Sequence, residues 1–244
     1  MRSVLASPPM SIHLEARAGE IAPLVLLPGD PLRAQFIAER FLDDAVCHNR
    51  VRNALGFTGQ FRGVRVSVQS TGMGMPSAAI YIHELLVEYG ARVLVRIGTC
   101  GAMRPHVRTR DIILAQAAAT DSAMFRDVFG GASFAPAASF DLLQRAHALA
   151  SAQAAAVHVG TVLTSDTFYL DGAWWEPWAA HGVLAAEMET AALYTLAARH
   201  HARALSILTV SDNIVDGTHA SAEERQTGFG AMAQLALALV TEAG

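Results

Sequence analysis

Cysteine is scarce in this sequence: two residues, Cys47 and Cys100, in a chain of 244. Two are too few for a disulfide framework and read instead as reduced, packed thiols in a cytosolic protein. Charge is scarce as well, at 16% of residues, with a formal net charge of -4. With no basic excess, neither nucleic acid nor an anionic membrane surface is expected as a partner. No stretch approaches the ~20 apolar residues of a membrane span. The N-terminal "MRSVLASPPM" has one Arg and no apolar core long enough for a signal peptide, so the expected location is cytoplasmic. Internal repeats and low-complexity linkers are missing too, and one domain over residues 1–244 is expected.

What is present is apolar. Hydrophobic residues make up 52% of the chain, enough for one large core. So few charges on so apolar a chain suggest that other subunits cover part of the surface. Strand-length apolar runs occur at 23–28, 64–71, 92–98, 111–116, 157–165, 183–188 and 204–211. Helix-like patterns occupy 31–42, 76–89, 139–156, 189–201 and 220–242. This alternation predicts an α/β domain with a central mixed, twisted β-sheet flanked by helices. The last helix opens with Ser221-x-x-Glu224, a capping box that places Arg225 early in it. Residues 120–139, with Gly130-Gly131 and Pro136, read as a surface excursion. In open α/β sheets ligands bind beyond the carboxyl ends of strands, and here five such ends carry unusual residues.

"LLPGDPLRA" runs a strand into a turn, with Asp30 suited to cap a helix and Pro31 to begin it. Arg33 then falls in the first turn, where the helix dipole disfavours cations. An anion held between Arg33, free backbone N–H groups and Gly29 would explain it; a solvated Arg after an ordinary turn is the alternative. "STGMGMPSA" lacks the third glycine of a dinucleotide fingerprint, since Ser77 stands there, and reads as a tight turn that lets backbone approach a ligand. "LVRIGTCGAM" places Arg96 inside an apolar run, where it needs an anionic partner: a ligand, or a nearby Asp or Glu. Gly98-Thr99-Cys100-Gly101 follows, offering backbone N–H groups and a hydroxyl to an oxyanion, without the Lys of a Walker loop.

"AAEMETAALY" sets Glu187 and Glu189 around Met188 where a strand meets a helix. Helix capping accounts for the acids, and so does acceptance of hydrogen bonds from ligand hydroxyls with the thioether against an apolar face, as a sugar would need. "TVSDN" ends a buried strand in Asp212. A plain turn residue would suffice, yet a carboxyl at a buried strand end can also serve as a general acid.

Together these segments resemble the hexameric, bacterial-type purine nucleoside phosphorylases of the nucleoside phosphorylase superfamily. The resemblance runs from about His13 to Leu237, through "LPGDPLRA", "RNALGFTG", "GMGMPSAAIYIHEL", "RIGTCGA", "DTFYLDG", "AEMETAALY", "TVSDNI" and "ERQTGF". It implies the nucleoside phosphorylase fold and reversible phosphorolysis of purine (deoxy)ribonucleosides, with inorganic phosphate as co-substrate and no cofactor or metal. It also implies phosphate binding by Gly29, Arg33, Arg96 and Thr99, joined by Arg52 of a neighbouring subunit. His13 would approach the sugar 5′-hydroxyl across the same interface. Met188 and Glu189 would contact the ribose, with Glu187 nearby. Phe168 would meet the base, with Ser211 among the nucleoside-binding residues. Asp212, paired with Arg225, would protonate purine N7. The assembly implied is a homohexamer built as a trimer of dimers.

Residues 1–10 precede the family's usual start and are expected to be a disordered or extra extension. Asn213 stands after Asp212 where many relatives carry His, and "VDGTHAS" departs from the family in the loop that follows. Within the superfamily, uridine phosphorylases lack an acid of the Asp212 type, and the hydrolases that cleave methylthioadenosine or adenosylhomocysteine need no phosphate site, so Arg33 and Arg96 argue against them. A catalytically silent nucleoside-binding protein would not need the full set of arginines, acid and sugar carboxylate.

Overall fold

A computed structural model describes residues 11–151 and 156–243, without the side chains of 222–228 and 243. The expectation for residues 1–10 therefore lies outside the described residues. The chain alternates strands and helices: β1 (Leu24–Pro28), α1 (Pro31–Phe41), β2 (Asp43–Asn49), β3 (Gly56–Phe61), β4 (Val64–Gln69), α2 (Met75–Val87), β5 (Val93–Ala102), β6 (Ile112–Thr120), α3 (Phe140–Ser151), β7 (Val157–Thr164), α4 (Glu176–Ala180), β8 (Ala185–Glu187), α5 (Thr190–Arg199), β9 (Arg203–Asn213) and α6 (Ala222–Ala243).

The strands form one mixed sheet in the order β2-β3-β4-β1-β5-β8-β7-β6-β9. β9 also pairs with β5, in parallel, so β5, β8, β7, β6 and β9 close into a ring to which the other four strands are attached. Residues alternate between the two covered faces, as the pleat requires. Leu24 and Leu26 of β1, Val93, Val95 and Ile97 of β5, and Leu205 and Ile207 of β9 pack towards α1, α3 and α6. Val25, Leu27 and Leu94 pack on the opposite face with α2 and α5. Burial on both faces is why these strands read as continuous apolar runs. Each buried leucine or valine contributes roughly 1.5–3 kcal/mol relative to exposure. The same alternation turns Arg96 towards the α2 and α5 side.

Every expected strand is present, and so are the expected long helices; the one expected over 139–156 is helical over Phe140–Ser151, and its residues 152–155 lie outside the described residues. β2 and β3 were not expected, because "DDAVCHN" is charged and mostly exposed and β3 is interrupted by Gly56 and Gly59. β5 was expected to end near Gly98 but continues through its glycines to Ala102, because β9 pairs with it that far, with one bulge on the β9 side. The short α4 was also missed. α6 starts at Ala222; the expected capping box needs the Glu224 side chain, which lies outside the described residues.

Candidate active site

The site begins as a gap in the sheet. β9 lines one edge of β5 along its length. β1 takes the other edge only as far as Pro28 opposite Ile97, and β8 resumes it at Gly101. Residues 98–100 therefore lack a strand partner on that edge. β8 runs antiparallel to β5, so the chain leaving it at Glu187 heads back past the gap towards Arg96.

There, two carboxylates share one guanidinium. Arg96 Nε donates to Glu187 Oε2 at 3.1 Å, and Arg96 Nη2 meets Glu189 Oε2 at 2.5 Å, which leaves Nη1 outside both ion pairs. All three residues are buried. Gly98 makes the cluster possible, since a Cβ there would stand 2.7 Å from Arg96 Nη2. Burial works against the Arg96 charge, but Glu189 and Glu187 outweigh it and hold the guanidinium protonated. Burial pushes the Glu189 carboxyl above the usual range, against the pull of Arg96. That is consistent with one cation compensating two acids: the cluster carries a formal excess of one negative charge.

The two acids do different work. Glu187 caps α5, its oxygens accepting from Glu189 N at 2.9 Å, from Thr190 N at 3.0 Å and from Thr164 Oγ1 at 2.5 Å. Glu189 reaches away from its own helix, and its Oε1 accepts from Gly74 N at the start of α2, at 2.6 Å. Gly74 has φ of 85°, a conformation that suits glycine. The capping alternative therefore describes Glu187, while Glu189 spans Arg96 and a second helix N-terminus. Met188, between them, is half-buried.

Beyond β1, Asp30 accepts from Leu32 N at 2.9 Å and caps α1 as its sequence requires. Gly29 is packed against the "STGMG" turn: Gly72 N donates to Gly29 O at 3.0 Å, and a Cβ on Gly29 would lie 3.0 Å from Gly72 O. Arg33 is half-buried, with its guanidinium over the Phe229 ring of α6, 4.8 Å from the centroid. Thr99, in the gap, is half-buried.

Asp212 enters from the other edge of β5. The β5–β9 register slips by one residue between Cys100 and Gly101, so that Ser211 is bulged and Asp212 pairs with Gly101. Bulges re-aim side chains. A Cβ on Gly101 would stand 2.7 Å from Asp212 Oδ2, so glycine supplies the room the carboxylate occupies. Ser211 Oγ donates to Asp212 Oδ1 at 2.7 Å. Cys100, beneath them, has its thiol pushed well up by burial, with Glu187 and Asp212 adding to the shift. It is a packed thiol, not a nucleophile.

The remaining expected residues are less central in the isolated chain. His13 Nδ1 lies 2.6 Å from Glu84 Oε1 on α2, and its ring meets Tyr81 edge-on. Arg52 is exposed in a short turn at Val51–Asn53, with φ of 55° there and 59° at Asn53, an uncommon backbone for such residues. Its charge reaches Tyr81, whose phenol is raised chiefly by burial and lowered by Arg52. Phe168 is 72% exposed beside Tyr169. The Arg225 side chain lies outside the described residues. Sequence reasoning missed Gly74 and Thr164 as partners of the carboxylates, and it read Gly98 and Gly101 as backbone donors when their missing side chains matter most.

The chain belongs to the phosphorylase superfamily, whose family model matches residues 23–243. At finer grain it is similar to the proteins named purine nucleoside phosphorylase DeoD-type. It is 57% identical to that of Geobacillus kaustophilus (strain HTA426) over 228 residues, 93% of this chain and 97% of the relative. For Geobacillus sp. (strain WCH70) the identity is 55% over 235 residues, covering 96% and 100%. For Alkaliphilus metalliredigens (strain QYMF) it is 54% over 231 residues, covering 94% and 99%.

Proposed function

We propose that this chain catalyses the reversible phosphorolysis of purine (deoxy)ribonucleosides to free purine and (deoxy)ribose 1-phosphate, in purine salvage. The observation that carries the reading is the convergence on one gap in β5 of a buried Arg96, its two carboxylates and the bulge-aimed Asp212. Similarity to DeoD-type purine nucleoside phosphorylases over nearly the whole length of both chains supports it.

Phosphate is the nucleophile and co-substrate, and the scheme uses no cofactor. Gly29, Arg33, Arg96 and Thr99 hold it, with Arg52 supplied by a neighbouring subunit. Glu189 and Met188 hold the ribose, and Glu187 sets the orientation of Arg96 and α5. Ser211, Phe168 and a neighbour's His13 complete the nucleoside site. The glycosidic bond breaks with positive charge developing on the ribose and negative charge on the purine. Bound phosphate stabilises the first and is placed for attack. Asp212, supported by Arg225, protonates N7 so that the base leaves neutral; general-acid help of this kind is worth ~10²–10⁴ in rate. His13 meets the Tyr81 ring and Arg52 acts on the same phenol, and neither bonds Arg96, Glu189 or Asp212 among the described residues, which favours a site completed between subunits in a dimer; the assembly proposed is three such dimers in a hexamer.

The test is base release from inosine, adenosine, uridine and methylthioadenosine, each with and without phosphate. Purine release that requires phosphate or arsenate is expected. Strong release in phosphate-free buffer would make the chain a hydrolase, and preference for uridine would remove the purine reading.

A further inference from the structure

We propose that Asn213 is the positioning residue for the acid at Asp212. The inference rests on the phosphorolysis reading above, in which Asp212 gives its proton to the leaving purine. Asn213 is 2% exposed and follows Asp212 at the end of β9. Its amide is used in both senses. Nδ2 donates to Arg104 O at 3.1 Å and to Val107 O at 2.9 Å, while Oδ1 accepts from Val215 N at 2.9 Å and Asp216 N at 3.4 Å. One side chain thus joins the turn that follows β5 to the turn that follows β9.

The backbone around it is fixed by the same closure. Asn213 N donates to Thr218 O, Gly217 N to Asn213 O, Ala220 N to Ser211 O and Ile214 N to Ala102 O, all between 2.8 and 2.9 Å. Asp212 itself forms an isolated antiparallel bridge with His219. Asp212 is therefore held between the bulge at Ser211 on one side and the amide clamp at Asn213 on the other. Among the described side chains, Ser211 Oγ alone hydrogen-bonds its carboxylate, so its direction depends on the backbone being held. Arg104 extends the clamp, donating through Nη1 to Ala179 O of α4 at 2.5 Å.

Asparagine is suited to this place by its inventory. It offers two donors and a carbonyl oxygen with two lone pairs on a short stem. Aspartate keeps the acceptors and loses both donors, and serine has a single O–H to give. A fully satisfied buried network is rigid, and one left partly unsatisfied is not. Proton transfer depends first on hydrogen-bond reach, so loosening this corner should be felt in protonation before it is felt in sugar or phosphate binding.

The experiment measures kcat/KM for inosine and 7-methylinosine in the full chain, wild type beside Asn213→Asp, Asn213→Ser and Asp212→Asn. The 7-methylated base leaves without needing a proton at N7. We expect both Asn213 variants to lose about tenfold or more on inosine, and no more than the ~10²–10⁴ that a general acid supplies. On 7-methylinosine the loss should be several-fold smaller, and KM for phosphate should be unchanged. Equal proportional losses on the two nucleosides, or no loss on inosine, would overturn the proposal. So would two unfolded variants by thermal melting, which would make Asn213 a folding residue alone. If Asp212→Asn itself harms both substrates equally, the acid reading fails and the positioning role falls with it. A selective Asp212→Asn beside unselective Asn213 variants would sink the positioning role alone.

Discussion

Gly101 and Asp212 face each other across β5 and β9 so closely that a methyl on the glycine would stand 2.7 Å from Asp212 Oδ2. The neighbouring Ile214 side chain approaches the same point, at 3.0 Å, so a methyl there would be crowded from two sides. Gly101→Ala should therefore displace the acid while leaving the strand paired. Misplacement of a reacting group by about 1 Å can cost ~10²-fold in rate. The prediction is a loss of that order in kcat/KM for inosine with little change in melting temperature. Normal activity in a folded Gly101→Ala protein would show that Asp212 has more latitude than this geometry allows.

The two arginines beside the proposed phosphate should separate in a stability measurement. Arg96→Ala leaves Glu187 and Glu189 buried without their cation, and breaking a buried ion pair in this way costs about 3–5 kcal/mol. Arg33→Ala removes a half-buried guanidinium over Phe229, a contact worth roughly 0.5–1 kcal/mol. Both variants should raise KM for phosphate, but only Arg96→Ala should shift the denaturant midpoint strongly. Similar, small shifts for both would mean that the carboxylates are satisfied without Arg96.

Acid stability should report on His48, far from the chemistry. Its ring is buried in β2, with Nδ1 2.9 Å from Thr58 Oγ1 and Nε2 3.1 Å from Gln69 Oε1. Burial lowers its pKa from 6.5 to about 4. Between those values the unfolded chain binds a proton that the folded chain refuses, so stability falls as pH drops from about 6.5 to about 4. The shift corresponds to about 3 kcal/mol. His48→Gln should flatten this part of the stability curve in urea unfolding at stepped pH. An unaltered slope in the variant would assign acid sensitivity to other groups.

Subunits should complement one another. Arg52→Ala and Asp212→Ala proteins are each expected to be nearly inactive, yet mixing and reassembling them should restore part of the activity. Each mixed dimer can then form one site free of both lesions. Full activity in a monomer at assay concentration would exclude the shared site.

Legibility followed burial. β1, β5 and β9 were readable because strands covered on both faces become unbroken apolar runs, and Asp30-Pro31 announced α1 by cap chemistry. β2 was not, since an exposed, charged edge strand has no core-facing pattern, and β3 lost its signal to Gly56 and Gly59. Closure of the ring was invisible as well. It depends on Leu94 pairing with Ala204 and Gly101 with Asp212, matches between segments about 110 residues apart for which no local motif speaks. At the site, Arg96 and the two glutamates stood out as polar residues in apolar surroundings. Gly98 and Gly101 did not disclose their roles, because the space a glycine leaves has meaning only once its neighbour is known.

The helix α2 has a further consequence for the proposed dimer. At one end Gly74 is gripped by Glu189, and nearly three turns on, Glu84 grips His13. The two grips are separated by about 15 Å of continuous helix at ~1.5 Å per residue. If Glu189 serves this subunit's sugar and His13 the neighbour's, a single stiff rod has one hand in each reaction chamber. A sugar that draws Glu189 away from Gly74 unfastens the near end of that rod, and the far end belongs to someone else's substrate. Communication between paired chambers would then need no moving domain, only the seating of one helix.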